Sequence, residues 1–171
     1  MKKNTTYHVV VSGLFIAMGL ILPSLFHAVS LSGSIFLPIH IPVLLCGLIC
    51  GWKYGLAVGI SIPLLSSILT GMPPIYPYAI SMVFELGTYG LVIGMVSKKY
   101  NTIIALLISM ISGRIVMGIA NVFLLGFSDN GYSFTAFITG SFITALPGIL
   151  IQIILIPIII AVLKKSRVIT L

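Results

Sequence analysis

"CGLICGWKYGLAVG", Cys46 to Gly59, joins two apolar runs with almost nothing between them. Only Trp52 and Lys53 mark the join. The runs on either side, Pro38–Trp52 and Tyr54–Thr70, therefore form a tight helical hairpin. Gly47, Gly51, Gly55 and Gly59 recur every four residues across it. Small residues at that spacing lie on one helix face and let another backbone approach closely. The spacing thus predicts close helix packing.

The whole chain has the same character. Of its 171 residues, 59% are hydrophobic and 6% charged, against about 25% charged in a soluble domain. Such a chain cannot cover a water-facing surface, so the composition predicts an all-α integral membrane protein in a single membrane domain, residues 1–171. The net charge of +7 does not point to nucleic acid. The basic residues sit in short clusters between apolar runs, and no aromatic-basic surface accompanies them.

A helix needs about 20 apolar residues to cross the hydrocarbon core. Hydropathy gives six spans: Tyr7–Phe26, Pro38–Trp52 (a short one), Tyr54–Thr70, Tyr76–Val96, Thr102–Phe127 and Phe134–Leu163. Charge supports this count independently. Lys2, Lys3, Lys53, Lys98, Lys99, Lys164, Lys165 and Arg167 all fall on one side if both termini are cytoplasmic. The opposite loops, 27–37, 71–75 and 127–133, contain no Lys or Arg, and Asp129 lies in one of them. Positive residues favour the cytoplasmic side. The protein is thus expected to be a six-helix bundle in the cell membrane with both ends inside. Its basic, apolar N-terminus looks like a signal peptide, but the apolar run is long for one and Ala28-Val29-Ser30 is a weak cleavage site, so a retained first helix is expected.

Two ionisable residues break the apolar pattern. Glu85, in "SMVFELGTYG" (Ser81–Gly90), is the chain's only glutamate; Arg114, in "SGRIVMG" (Ser112–Gly118), is its only basic residue inside a span. At 1.5 Å per residue, Glu85 lies about 14 Å from the outer end of its span and Arg114 about 20 Å from the inner end of its own. Both therefore sit in the middle of a core about 30 Å thick, at similar depth. Intramembrane charges find partners or serve a function, so Glu85 and Arg114 either pair with each other or meet a ligand. Helical spacing puts Tyr78, Met82, Glu85 and Tyr89 on one face, and Arg114, Gly118 and Asn121 on another, with Gly118 leaving room beside the arginine. Thr139, Thr144 and Gln152 add polar groups from the last span, and His40 stands at the outer start of the second. Converging, these groups would line one cavity open to the outside. Each also has a plainer reading, as packing, helix-end or interhelical hydrogen-bonding residues.

Prolines mark the outer side. Pro38 and Pro42 begin the second span, "GMPPIYP" (Gly71–Pro77) makes a stiff outer loop, and Pro63, Pro147 and Pro157 are candidate kinks. Cys46 and Cys50 read as small apolar packing residues, since no further Cys or neighbouring His completes a metal set. The chain contains no phosphate-binding G-x-x-x-x-G-K-[ST] loop, no H-E-x-x-H, no G-x-S-x-G and no paired carboxylates, so nothing points to an enzyme, to bound metal or to ATP held by this chain.

The stretch "LPIHIPVLLCGLICGWKYGLAVGISIPLLSSILTGMPPIYP", Leu37 to Pro77, followed by "MVFELGTYGLVIGMV", resembles the substrate-binding S component of energy-coupling factor (ECF) vitamin transporters. The Gly13-x-x-x-Ala17 pair is similar to that family's small-xxx-small motif in the first span, with Gly where Ala is more usual. The resemblance implies a subunit that captures a vitamin or precursor, pantothenate-like or pyridoxine/pyrimidine-like, near the outer face. It also implies delivery inward with a membrane coupling (T) subunit, on which Gly13 and Ala17 dock, and two ATPase subunits that hydrolyse the ATP. The substrate-binding candidates are Glu85, Arg114, Asn121, Tyr78, His40, Tyr89 and Gln152. A self-sufficient small carrier or channel, or a membrane subunit outside transport, are the alternatives.

Overall fold

In lipid a backbone must satisfy its own polar groups, which favours helices. A computed structural model describes residues 5–28, 33–126 and 133–166, and there the chain is overwhelmingly helical. In order come α1 (Thr5–Ala28), the single turn α2 (Gly33–Phe36), α3 (His40–Cys50), α4 (Trp52–Thr70), a wide turn at Ile75–Ala79, α5 (Ile80–Val96) and α6 (Thr102–Leu125). The short α7 (Phe134–Ile138), a second wide turn (Thr139–Thr144) and α8 (Leu146–Lys165) follow. Lys2, Lys3, Arg167, Asp129, the cleavage candidate at Val29–Ser30 and most of the 127–133 loop lie outside the described residues.

Five helical segments are long and apolar enough to cross a membrane: those beginning at Thr5, Trp52, Ile75, Thr102 and Leu146. The segment read as a short second span is different. α3 has 11 residues, about 16 Å of helix, roughly half the hydrocarbon core. The last predicted span is also not one helix. It is interrupted at Thr139–Thr144, and α8 restarts at Leu146 with Pro147 in its first turn, where a missing N–H costs no hydrogen bond.

The hairpin at Cys46–Gly59 forms as its sequence predicts. Gly51 alone separates α3 from α4, at φ 91° and ψ 172°, a conformation that disfavours any side chain. It is thus a joint, and its carbonyl carbon would stand 2.8 Å from a Cβ on Gly94 of α5. Gly47, Gly55 and Gly59 form the rest of the packing face, and what lies on it is α5. A Cβ built on Gly55 would stand 2.5 Å from the Gly90 carbonyl oxygen, and one on Gly47 2.7 Å from the same atom. One on Gly59 would run into the carbonyl of Leu86, and one on Gly94 into the backbone of Trp52. The order 59–86, 55–90, 52–94 makes α4 and α5 antiparallel, in backbone contact along their length. α5 is central, packed against α3, α4 and α6; α1 covers α3 and α4, and α8 lies against α2, α3 and α6.

The Trp52–Gly94 contact also places Lys53 and Lys98–Lys99 at one end of the bundle. The other end is held by polar ties. Ser66 Oγ donates to the Met72 carbonyl (2.8 Å) and Ser67 Oγ to that of Pro73 (2.5 Å), which pins the 71–74 loop to α4. The Tyr76 hydroxyl then donates to the Leu124 carbonyl near the end of α6. Tyr76→Phe removes one neutral hydrogen bond worth about 1 kcal/mol. The expected result is a drop of a few degrees in the melting temperature in detergent, with the fold retained.

Candidate functional site

Three elements place the polar side chains. Leu37 sits in left-handed backbone at φ 52°, and its carbonyl accepts from the His40 N–H at 3.1 Å. That turn sets His40 at the start of α3. Asn101 caps α6 by accepting from the Ile104 N–H at 2.9 Å, which fixes the phase that carries Arg114 inward. The glycine contact with α4 fixes α5 and with it Glu85.

These placements converge on one atom. Arg114 Nη1 lies 2.9 Å from Glu85 Oε1. The Tyr89 hydroxyl donates to the same oxygen at 3.1 Å, and His40 Nε2 stands 3.5 Å from it without hydrogen-bond geometry. The matched depths inferred for Glu85 and Arg114 thus correspond to a direct ion pair. Glu85 is 2% exposed, Arg114 5% and His40 3%. The His40 and Tyr89 rings are 5.5 Å apart. Gly113, just before the arginine, makes the cluster possible: any Cβ there would overlap the Tyr89 ring. Gly113 carries no motif in the sequence, and its place beside a lone intramembrane arginine is the signal that points to it.

Besides Nδ1 of His8 on α1, the buried side-chain atoms without hydrogen-bond partners among the described residues are both ring nitrogens of His40, Nε of Arg114, Oγ of Ser81, Oγ of Ser141, and Nε2 and Oε1 of Gln152. Ser81 lies one turn before Glu85 on α5. Gln152 is fully buried, on the α8 face that also buries Gly148, Ile156 and Ile160. Gly148, one turn earlier, abuts the backbone of Ile35 and Phe36, close to His40 in sequence. Unpaired polar groups at such burial are costly and mark a place that a polar molecule or water can satisfy.

Other expected members are elsewhere. Tyr78 is 61% exposed and outside the cluster. It falls in the wide turn at Ile75–Ala79, where Tyr76 is extended (φ −111°, ψ 134°). The helical phase of α5 therefore does not run back through it. Asn121 is only partly buried, two turns beyond Arg114. The space at Gly118 is filled by the Phe137 ring, 2.8 Å from a Cβ there, rather than left beside the arginine. Thr139 is exposed and Thr144 partly buried.

Two further regions are chemically quiet. Cys46 and Cys50 are buried free thiols, with Cys46 Sγ 3.6 Å from Ser12 Oγ of α1. Among the described residues no group of three or more His, Cys, Asp and Glu could hold a metal ion. A cavity of about 440 Å³, lined by Phe84, Val116, Ile119, Ala120, Phe123 and Leu124, is an apolar groove on the outside of α5 and α6.

A family model described as "ECF transporter, substrate-specific component" matches residues 8–160. No curated protein and no solved structure matches the chain.

Proposed function

The chain belongs to the substrate-specific components of ECF transporters, and from that premise we propose that it captures a vitamin or vitamin precursor, pantothenate-like or pyridoxine/pyrimidine-like, at the outer side of the cell membrane. Delivery inward depends on a separate coupling subunit and two ATPases. Both termini are cytoplasmic, with Lys53, Lys98, Lys99, Lys164 and Lys165 at the inner face. The chain is a transport subunit and binds no nucleotide itself.

The observation that carries this reading is the buried polar cluster at mid-depth in an apolar bundle. Glu85, Arg114 and His40 come from three helices, and His40, Arg114 Nε and Ser81, one turn before Glu85, keep buried polar atoms without partners among the described residues. Tyr89 reaches the same Glu85 oxygen, and in this reading Gln152 of α8 and Asn121 of α6 reach the substrate as well. Purified alone, the chain should bind its substrate, and a ligand at 100 times its dissociation constant should stabilise it by about 2.7 kcal/mol. Concentrative uptake into proteoliposomes should appear only with the coupling subunit, both ATPases and ATP. Ion-driven concentrative uptake by the chain alone would instead mark a self-sufficient carrier.

α1 is the docking surface in this reading. Gly13 and Ala17 are both exposed, and a Cβ on Gly13 would meet nothing within 4 Å. Small residues there let a partner helix approach closely. Gly13→Leu should keep substrate affinity within about twofold, since among the described residues nothing lies within 4 Å of a Cβ there, and reduce ATP-driven uptake at least tenfold. Binding to the isolated chain and uptake by the full assembly, measured in parallel, check both halves.

A further inference from the structure

Resting on the capture reading above, and narrowing it to its pyridoxine/pyrimidine-like half, we infer that this site takes a molecule that is uncharged overall, recognised through hydroxyl, amide or ring-nitrogen groups rather than through an ionised carboxylate or amine. The inference starts from charge balance. Among the described residues, Glu85 and Arg114 are the acid and the base that the bundle buries, and at 2.9 Å each already holds the other's counter-charge. An anion taking the open Nε–H of Arg114 would set two anions on one buried guanidinium. A cation at Glu85 would likewise set two cations on one carboxylate. Either leaves one buried charge without a counter-charge of its own, which is costly. A neutral molecule leaves the pair alone.

The open hydrogen-bonding positions agree. A glutamine amide supplies both a donor and an acceptor, a hydroxyl either, and the arginine Nε only donates. Gln152, Ser81, Ser141 and Arg114 Nε are among the buried groups left without partners among the described residues, so they mix donors and acceptors. A carboxylate only accepts. It would leave the amide oxygen of Gln152 unsatisfied. Alcohols, amides and hydroxylated nitrogen heterocycles can answer both kinds.

The test uses the purified full chain and pairs of small molecules that differ in one group: pantothenol and pantothenate, pyridoxine and 4-pyridoxate, nicotinamide and nicotinate. Thermal shift identifies the pair that binds, and equilibrium titration then gives both dissociation constants. The neutral member should bind at least tenfold more tightly. Glu85→Gln leaves Arg114 its charge and should turn the preference toward the anion by at least tenfold. If that variant does not fold, the double change Glu85→Gln with Arg114→Gln restores neutrality and should keep the preference for the neutral member. Equal or tighter binding of the anion to the unaltered chain overturns the inference, as does loss of neutral preference in the double variant. No stabilisation by either member of any pair overturns the capture reading itself, and the inference with it.

Discussion

Gly90→Ala is expected to leave almost no folded protein. Helix propensity points the other way, since alanine is favoured over glycine in a helix by about 1 kcal/mol. Packing decides. A methyl group on Gly90 would occupy the place of the Gly55 carbonyl, and the Gly90 carbonyl itself closes on Gly47 and Gly55 from the same side. Overpacking that flexible side chains can absorb costs roughly 1–3 kcal/mol. Here the obstacle is backbone on both sides, so the cost should be about 3 kcal/mol or more, enough to unseat α5 from the hairpin. Gly87→Ala is the control. Its Cβ would meet only side chains, Leu56 Cδ1 at 3.4 Å and Ile60 Cγ1 at 3.5 Å, and its melting temperature should stay within a few degrees of the parent. Size-exclusion profiles and thermal unfolding in detergent separate the two. A Gly90→Ala protein that melts like the parent would contradict the backbone contact.

The second large effect is at the ion pair. Removing one partner of a buried pair costs roughly 3–5 kcal/mol. Glu85→Ala should fall at the upper end, because it strands Arg114 and takes the acceptor from Tyr89 as well. Arg114→Ala should fall at the lower end, since Glu85 keeps the Tyr89 hydroxyl. The double alanine variant should lose less than the sum of the two, which a double-mutant cycle measures directly. Exchanging the residues, Glu85→Arg with Arg114→Glu, should restore folding while substrate binding is lost. That outcome separates the structural role of the pair from its role toward ligand. An exchange that folds no better than either single variant would count against a direct pair.

Much of this bundle can be read in the sequence because lipid makes certain errors expensive. A glutamate and an arginine in apolar runs have few ways to survive, and 1.5 Å per residue is enough to bring Glu85 and Arg114 to one level. The glycine spacing in Cys46–Gly59 announces a close helix contact, although not that α5 makes it. What was not legible depends on departures from regular helix. Helical spacing carries the face of Glu85 back to Tyr78, and the wide turn at Ile75–Ala79 breaks that phase. The last span looks continuous in hydropathy, which carries no information about the interruption at Thr139–Thr144. The half-length of α3 was hidden because Trp52 and the residues before His40 are as apolar as the helix itself. The pairing of Gly113 with Tyr89, on α6 and α5, is a contact between distant positions, and a single sequence holds no record of those.

The hairpin's contact with α5 has one more consequence. A joint made of main-chain atoms has no rotamers to exchange, so it cannot adapt in small steps; it stays seated or comes apart. α3, α4 and α5 therefore behave as a single plate. Any widening of the polar cluster must be absorbed across the other side of α5, where Tyr89 and Arg114 reach Glu85 through side chains. The part of the cluster borne on the plate serves as a fixed anvil, and any adjustment falls to the part that α6 carries.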